Sequence, residues 1–131
     1  MATTTVETVD ISQALATVLE DLDGLRVYWY VSDAVRPPAV VIMQPSVDYL
    51  DAQSHFCAAT WTFPVVLCVT RANEREAQIA LSKHLQLVTS ALGSAQIPGV
   101  LSVDPVDARP TTVTVSGVDL PGYAINVRVR A

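Results

Sequence analysis

Residues 60–70 read TWTFPVVLCVT, and their alternation constrains the fold more than any other stretch of the chain. Trp61, Phe63, Val65, Leu67 and Val69 share one face of an extended chain, while Thr60, Thr62, Pro64, Val66, Cys68 and Thr70 share the other. Continued back to His55, the pattern predicts a strand of up to ~16 residues, against a usual five or six. Pro64 has no N–H to give to a ladder, so the spacing predicts an edge strand or a bulge. Such a proline also hinders the recruitment of stray strands.

A helix is expected immediately afterwards. Asn73 is placed to cap it, Glu74 and Glu76 suit its first turn, and Ala77, Leu81, Leu85, Val88 and Leu92 form its apolar stripe up to Gly93. The charge change at 71–76 is therefore a helix start and needs no site to explain it.

Residues 10–24 predict an earlier helix. Ile11, Ala14, Leu15, Val18, Leu19 and Leu22 fall on one stripe, Asp10 is the expected N-cap with Gln13 in the capping-box position, and Gly24 suits the exit. Strands are expected over 25–30 (LRVYWY) and 39–43 (AVVIM), separated by a segment that ends in Pro37-Pro38. The second is apolar on both sides and reads as central. Residues 44–54 predict a projecting loop or ragged hairpin with Tyr49 and Leu50 at its tip. The remainder, 97–131, holds two or three strands (VLSVDPVDA, TTVTVSG, YAINVRVRA) with a turn containing Gly117, Pro121 and Gly122. In the last strand Ile125, Val127 and Val129 face one way, and Asn126, Arg128 and Arg130 the other. This order predicts one α+β domain over 1–131: a largely antiparallel mixed sheet of about 4–5 strands with two helices on one face, behind a flexible start at about 1–8.

Composition narrows the function. The chain has 131 residues, a length suited to one core without disulfides or metal. Half of its residues are hydrophobic and 16% are charged, which leaves apolar surface to bury against other chains. The net charge is −5 and the eight basic residues form no cluster, which disfavours tight binding to a phosphate backbone. MATTTVETVD has neither a basic nor an apolar signal region, and no apolar run approaches ~18 residues, so neither a signal peptide nor a membrane span is expected.

Local chemical signatures are few. The five glycines sit at expected helix ends and turns, with no phosphate loop among them. His55 and Cys57 supply two potential metal ligands where a site needs three or four. Cys57 and Cys68 are expected to be buried free thiols, because ~36 Å of straight strand would separate them. Asp48, Asp51, Asp104, Asp107 and Asp119 read as turn-forming loop residues without calcium-loop spacing. His84 reads as a helix flank with no nearby group to orient it as a base. No catalytic, cofactor-binding or metal-binding residue and no cofactor is expected, although Cys57, His84 and an aspartate could still meet in space.

The helix 10–22 followed by GLRVY, the PPAVVI strand, the WTFPVVL strand, the RANEREAQ helix opening and the terminal VSGVDLPGYAINVRV together resemble the tail-terminator (tail-completion) proteins of long-tailed bacteriophages. The resemblance covers nearly the whole chain in pattern. It implies a structural virion protein without enzymatic activity, made in the host cytoplasm. Copies would form a homo-oligomeric ring, commonly six-fold, on the head-proximal end of the tail tube. The ring would stop polymerisation and join the tail-tube protein to a neck protein, while DNA passes through its lumen unbound. In such a ring, the 44–55 loop and the strand around Pro64 would lie near neighbours. Tyr49 and Leu50 would be anchors there, with Asp48 and Asp51 beside them, and Arg71, Arg75, Arg128 and Arg130 would pair with acidic loops or remain solvated. Another neck protein, such as a head-completion or head–tail adaptor subunit, is the nearest alternative. A small cytoplasmic enzyme or ligand-binding domain is the alternative from a different class.

Overall fold

The computed structural model describes residues 7–22, 24–31, 35–49, 59–70, 73–115 and 117–130. Their order is α1 (Thr8–Glu20), β1 (Arg26–Tyr28), β2 (Ala39–Ile42), β3 (Ser46–Asp48), β4 (Thr60–Cys68), α2 (Glu74–Gly93), β5 (Ser102–Val115) and β6 (Val118–Arg130). The strands form one six-stranded sheet of order β1-β2-β4-β6-β5, with β3 also pairing β4. Only β1 and β2 run parallel. The fold is α+β, and six strands form where four or five were expected.

The alternation in β4 builds the core. Trp61, Phe63, Val65 and Leu67 are buried on the inner face beside Ile125, Val127 and Val129 of β6 and Val40 and Ile42 of β2. Over them lie Ile11, Leu15 and Leu19 of α1 and Ala77, Leu81, Val88 and Leu92 of α2, so both helices cover one face. Leu85 packs at the margin, half-buried. A smaller cluster of Ala39, Cys68 and Leu120 is buried on the opposite face, with Tyr28, Val35, Val113 and Val115 against it.

The expected edge strand is in fact central. β4 pairs with β6 along its whole length on one side, and with β2 and β3 in succession on the other. Pro64 is tolerated because of where its missing donor points. The Met43 N–H donates to the Pro64 carbonyl at 2.9 Å, so the backbone of Pro64 faces the segment between β2 and β3. There Gln44 and Pro45 lie opposite Phe63 alone, a bulge that shifts the register between the two short strands. The proline removes one donor at a point where the ladder is already interrupted.

The edge role falls instead to β5. Carried across β6, the same alternation of backbone direction turns Pro105 and Pro110 outward, away from the ladder. A second bulge, at Val106, lies between them. Two absent donors and a bulge make this 14-residue edge a poor template for indiscriminate pairing.

Other boundaries also moved. α1 starts earlier than expected: Glu7 is the N-cap and Asp10 stands at the third helical position, where its carboxylate accepts the Glu7 N–H at 3.3 Å. The first turn is also held by the Trp61 indole, whose Nε1 donates to Thr8 Oγ1 at 3.1 Å. Asn73 caps α2 as expected, its Oδ1 accepting the Glu76 N–H at 2.8 Å. The predicted C-terminal segments merge into two long strands. The turn lies between Val115 and Val118, with Gly117 at φ 80°, while Pro121 and Gly122 are strand residues of β6. An added Cβ on Gly122 would collide with the Leu67 carbonyl oxygen, so this position requires glycine for close strand approach.

Candidate interaction surface

Of the expected interface residues, the structure describes Asp48, Tyr49, Arg75, Arg128 and Arg130, and these lie towards both ends of β4. Tyr49 follows β3 and is 70% exposed, and Asp48 lies in β3 opposite Thr60. Leu50, Asp51 and Arg71 lie outside the described residues, as do His55 and Cys57. Arg75 is exposed in the first turn of α2, near the Cys68 end of β4. Arg128 and Arg130 are exposed on the helix-free face near the Thr60 end, opposite Asp104 and Ser102. Eight strand residues, roughly 26 Å, separate the two ends.

Four of the five aspartates expected in loops are strand residues, and Asp51 lies outside the described residues. Asp48 belongs to β3, Asp104 and Asp107 to β5, and Asp119 to β6. Asp107 accepts from Asn126 Nδ2 at 2.8 Å, and Asp119 accepts from Thr114 Oγ1 at 2.7 Å. Both are cross-strand pairs between β5 and β6, the first on the helix-free face and the second on the side of α2.

The structure presents two features that the sequence reading missed. First, β1 ends at Tyr28, leaving Trp29, Tyr30 and Val31 exposed beside the sheet edge. The Trp29 and Tyr30 rings meet edge to face, with centroids 5.1 Å apart at 75°. Consecutive exposed apolar residues ahead of a proline-containing segment were the available signal, hidden by assigning all of LRVYWY to a strand. Second, an open groove runs between α2 and the β5–β6 hairpin, formed by adjoining cavities of about 310 and 630 Å³ that share Gln78, Leu81, Thr112 and Pro121. This groove joins residues some 40 positions apart and leaves no local trace.

Among the described residues, Cys68 and His84 are the titratable side chains with shifted pKa values. Cys68 is a free, fully buried thiol; burial pushes its pKa up, against a smaller lowering by a hydrogen bond with the Ala39 backbone. His84 has its pKa lowered by burial and then by the Lys83 charge, and its Nδ1 is buried without a hydrogen-bond partner. Cys68 belongs to the cluster on the helix-free face and His84 to α2 on the other, so the sheet separates them. The described residues contain no group of three or more His, Cys, Asp or Glu arranged to hold a metal, and no helix long and apolar enough to cross a membrane.

In comparisons with known proteins, no family model and no curated protein matches this chain.

Proposed function

We propose that this protein is a structural virion subunit whose copies form a ring, six-fold by resemblance, on the head-proximal end of a phage tail tube. The ring ends tube polymerisation and offers its other surface to a neck protein. Its role is assembly without catalysis. The observation that carries this reading is the asymmetry of the sheet: both helices pack on one face, and the terminal strands β1 and β5 each pair with a strand on one side only among the described residues. Two different edges on one rigid body suit head-to-tail contact between identical copies, the kind of contact that closes rings. The net charge of −5 supports a lumen that lets DNA pass without holding it.

The test is native mass measurement of the purified chain, alone and after mixing with tail tubes, together with electron microscopy of the tube ends. Closed oligomers, or rings that appear at one tube end only, are expected. A stable two-fold dimer that ignores tube ends would refute the reading.

A further inference from the structure

Two surfaces of the molecule, one beside β1 and one between α2 and the β5–β6 hairpin, carry apolar groups with opposite charges near them. At the β1 edge, Trp29, Tyr30 and Val31 are 37%, 52% and 65% exposed and form a knob. Two exposed arginines accompany it: Arg26 on β1 and Arg36, whose backbone N–H donates to the Tyr28 hydroxyl at 3.3 Å. At the other side of the sheet, the groove between α2 and the β5–β6 hairpin has apolar walls from Ala77, Leu81, Leu85, Pro121 and Tyr123. Its charged lining residues are Glu74 and Asp119, both anionic. An aromatic knob with two arginines near it in the chain and an apolar groove with two carboxylates in its lining therefore occur as different surfaces of the same molecule.

We propose that the Trp29–Tyr30 knob of one copy seats in the α2–hairpin groove of a second copy, with Arg26 and Arg36 approaching Glu74 and Asp119. The proposal rests on the ring reading and names its contact. Because knob and groove are different surfaces, a pair of copies keeps one knob and one groove free, so the contact propagates until it closes. Aromatic anchors in pockets are what interface centres are built from. A Trp and a Tyr each carry ~150–250 Å² of burialable surface, and the knob presents on the order of 300 Å² in total. A standard interface needs about 800 Å² per partner, so the surfaces flanking the knob supply the rest. Opposed charges at the rim set orientation and encounter rate more than strength.

The experiment follows association by native mass spectrometry and sedimentation over a concentration series, with thermal unfolding of every variant as the folding control. The Trp29→Ala/Tyr30→Ala variant lacks the knob, and Gln78→Trp fills the groove, with Thr112→Trp as its second form; these positions are exposed in the free chain. Each alone should associate roughly thirty-fold more weakly than the parent chain. Mixed together, knob-less and groove-filled chains should form a one-to-one pair that grows no further, since only one intact knob and one intact groove remain. Arg36→Glu should weaken association, and Glu74→Arg in the same chain should restore part of it. If the knob-less variant assembles as the parent does, or the mixture fails to pair, this contact is wrong while the ring reading stands. If the parent chain never assembles, alone or at tube ends, both fall.

Discussion

Replacing Gly122 with alanine tests the close approach of β4 and β6 that holds the core together. Gly122 is buried opposite Cys68, and a Cβ there meets the Leu67 carbonyl oxygen, with Val113 Cγ2 at 3.2 Å on another side. The obstacle is backbone in the central strand, so a side-chain rotation cannot relieve it. Overpacking of this kind costs about 3 kcal/mol, the upper end of the usual range. Alanine regains up to ~1 kcal/mol by restricting the unfolded chain. The net loss is then about 2 kcal/mol, a large share of the ~5–15 kcal/mol that holds a domain of this size. It corresponds to a Tm lower by roughly 6–10 °C. Gly93→Ala is the matched control: Gly93 ends α2 with nothing within 4 Å of an added Cβ, and alanine there should stabilise by about 0.5 kcal/mol. Urea unfolding followed by circular dichroism reads both. If Gly122→Ala is within about 0.5 kcal/mol of the parent, the β4–β6 packing described here is wrong.

Thr8→Val leaves the buried indole N–H of Trp61 without its acceptor and should cost about 1 kcal/mol in urea unfolding, whereas Thr8→Ser should cost little. The folded-state pKa of His84 lies below its unfolded value, so on acidification the unfolded chain takes up the proton first. Stability should therefore fall as pH drops below about 6.5, and His84→Leu should flatten that slope when unfolding is compared at pH 7.5 and 5.5. In a Cys57→Ser chain, the buried high-pKa thiol of Cys68 should resist a thiol-specific reagent in the native state and react once unfolded. Rapid native labelling would contradict its burial.

What was legible in the sequence was local periodicity. The alternation of Trp61, Phe63, Val65 and Leu67 marked the inner face of β4, and the Asn73 cap and its stripe marked α2, because burial of one face imposes both patterns directly. Of the two expectations for Pro64 the bulge holds and the edge does not, because the cost of its absent donor depends on what lies alongside. Only the pairing shows Met43, Gln44 and Pro45 meeting it at a bulge. The cap of α1 shifted because Asp10 bonds back from the third helical position as readily as it could cap. The strand aspartates were misplaced because cross-strand partners, Asn126 for Asp107 and Thr114 for Asp119, satisfy them in ways no turn rule anticipates. The expected interface residues rest on resemblance and exposed-loop logic; the described ones fall towards both ends of β4, and the knob and groove emerge only when β1 ends at Tyr28 and the hairpin packs beside α2.

The central claim is that this domain exists to join copies of itself around a tube end. Its most direct test is imaging tail tubes after incubation with the purified chain and averaging the end views. The account predicts a closed ring with an open centre at one end of each tube, and arrested tube growth. Bare, still-growing ends in the presence of folded protein would contradict it.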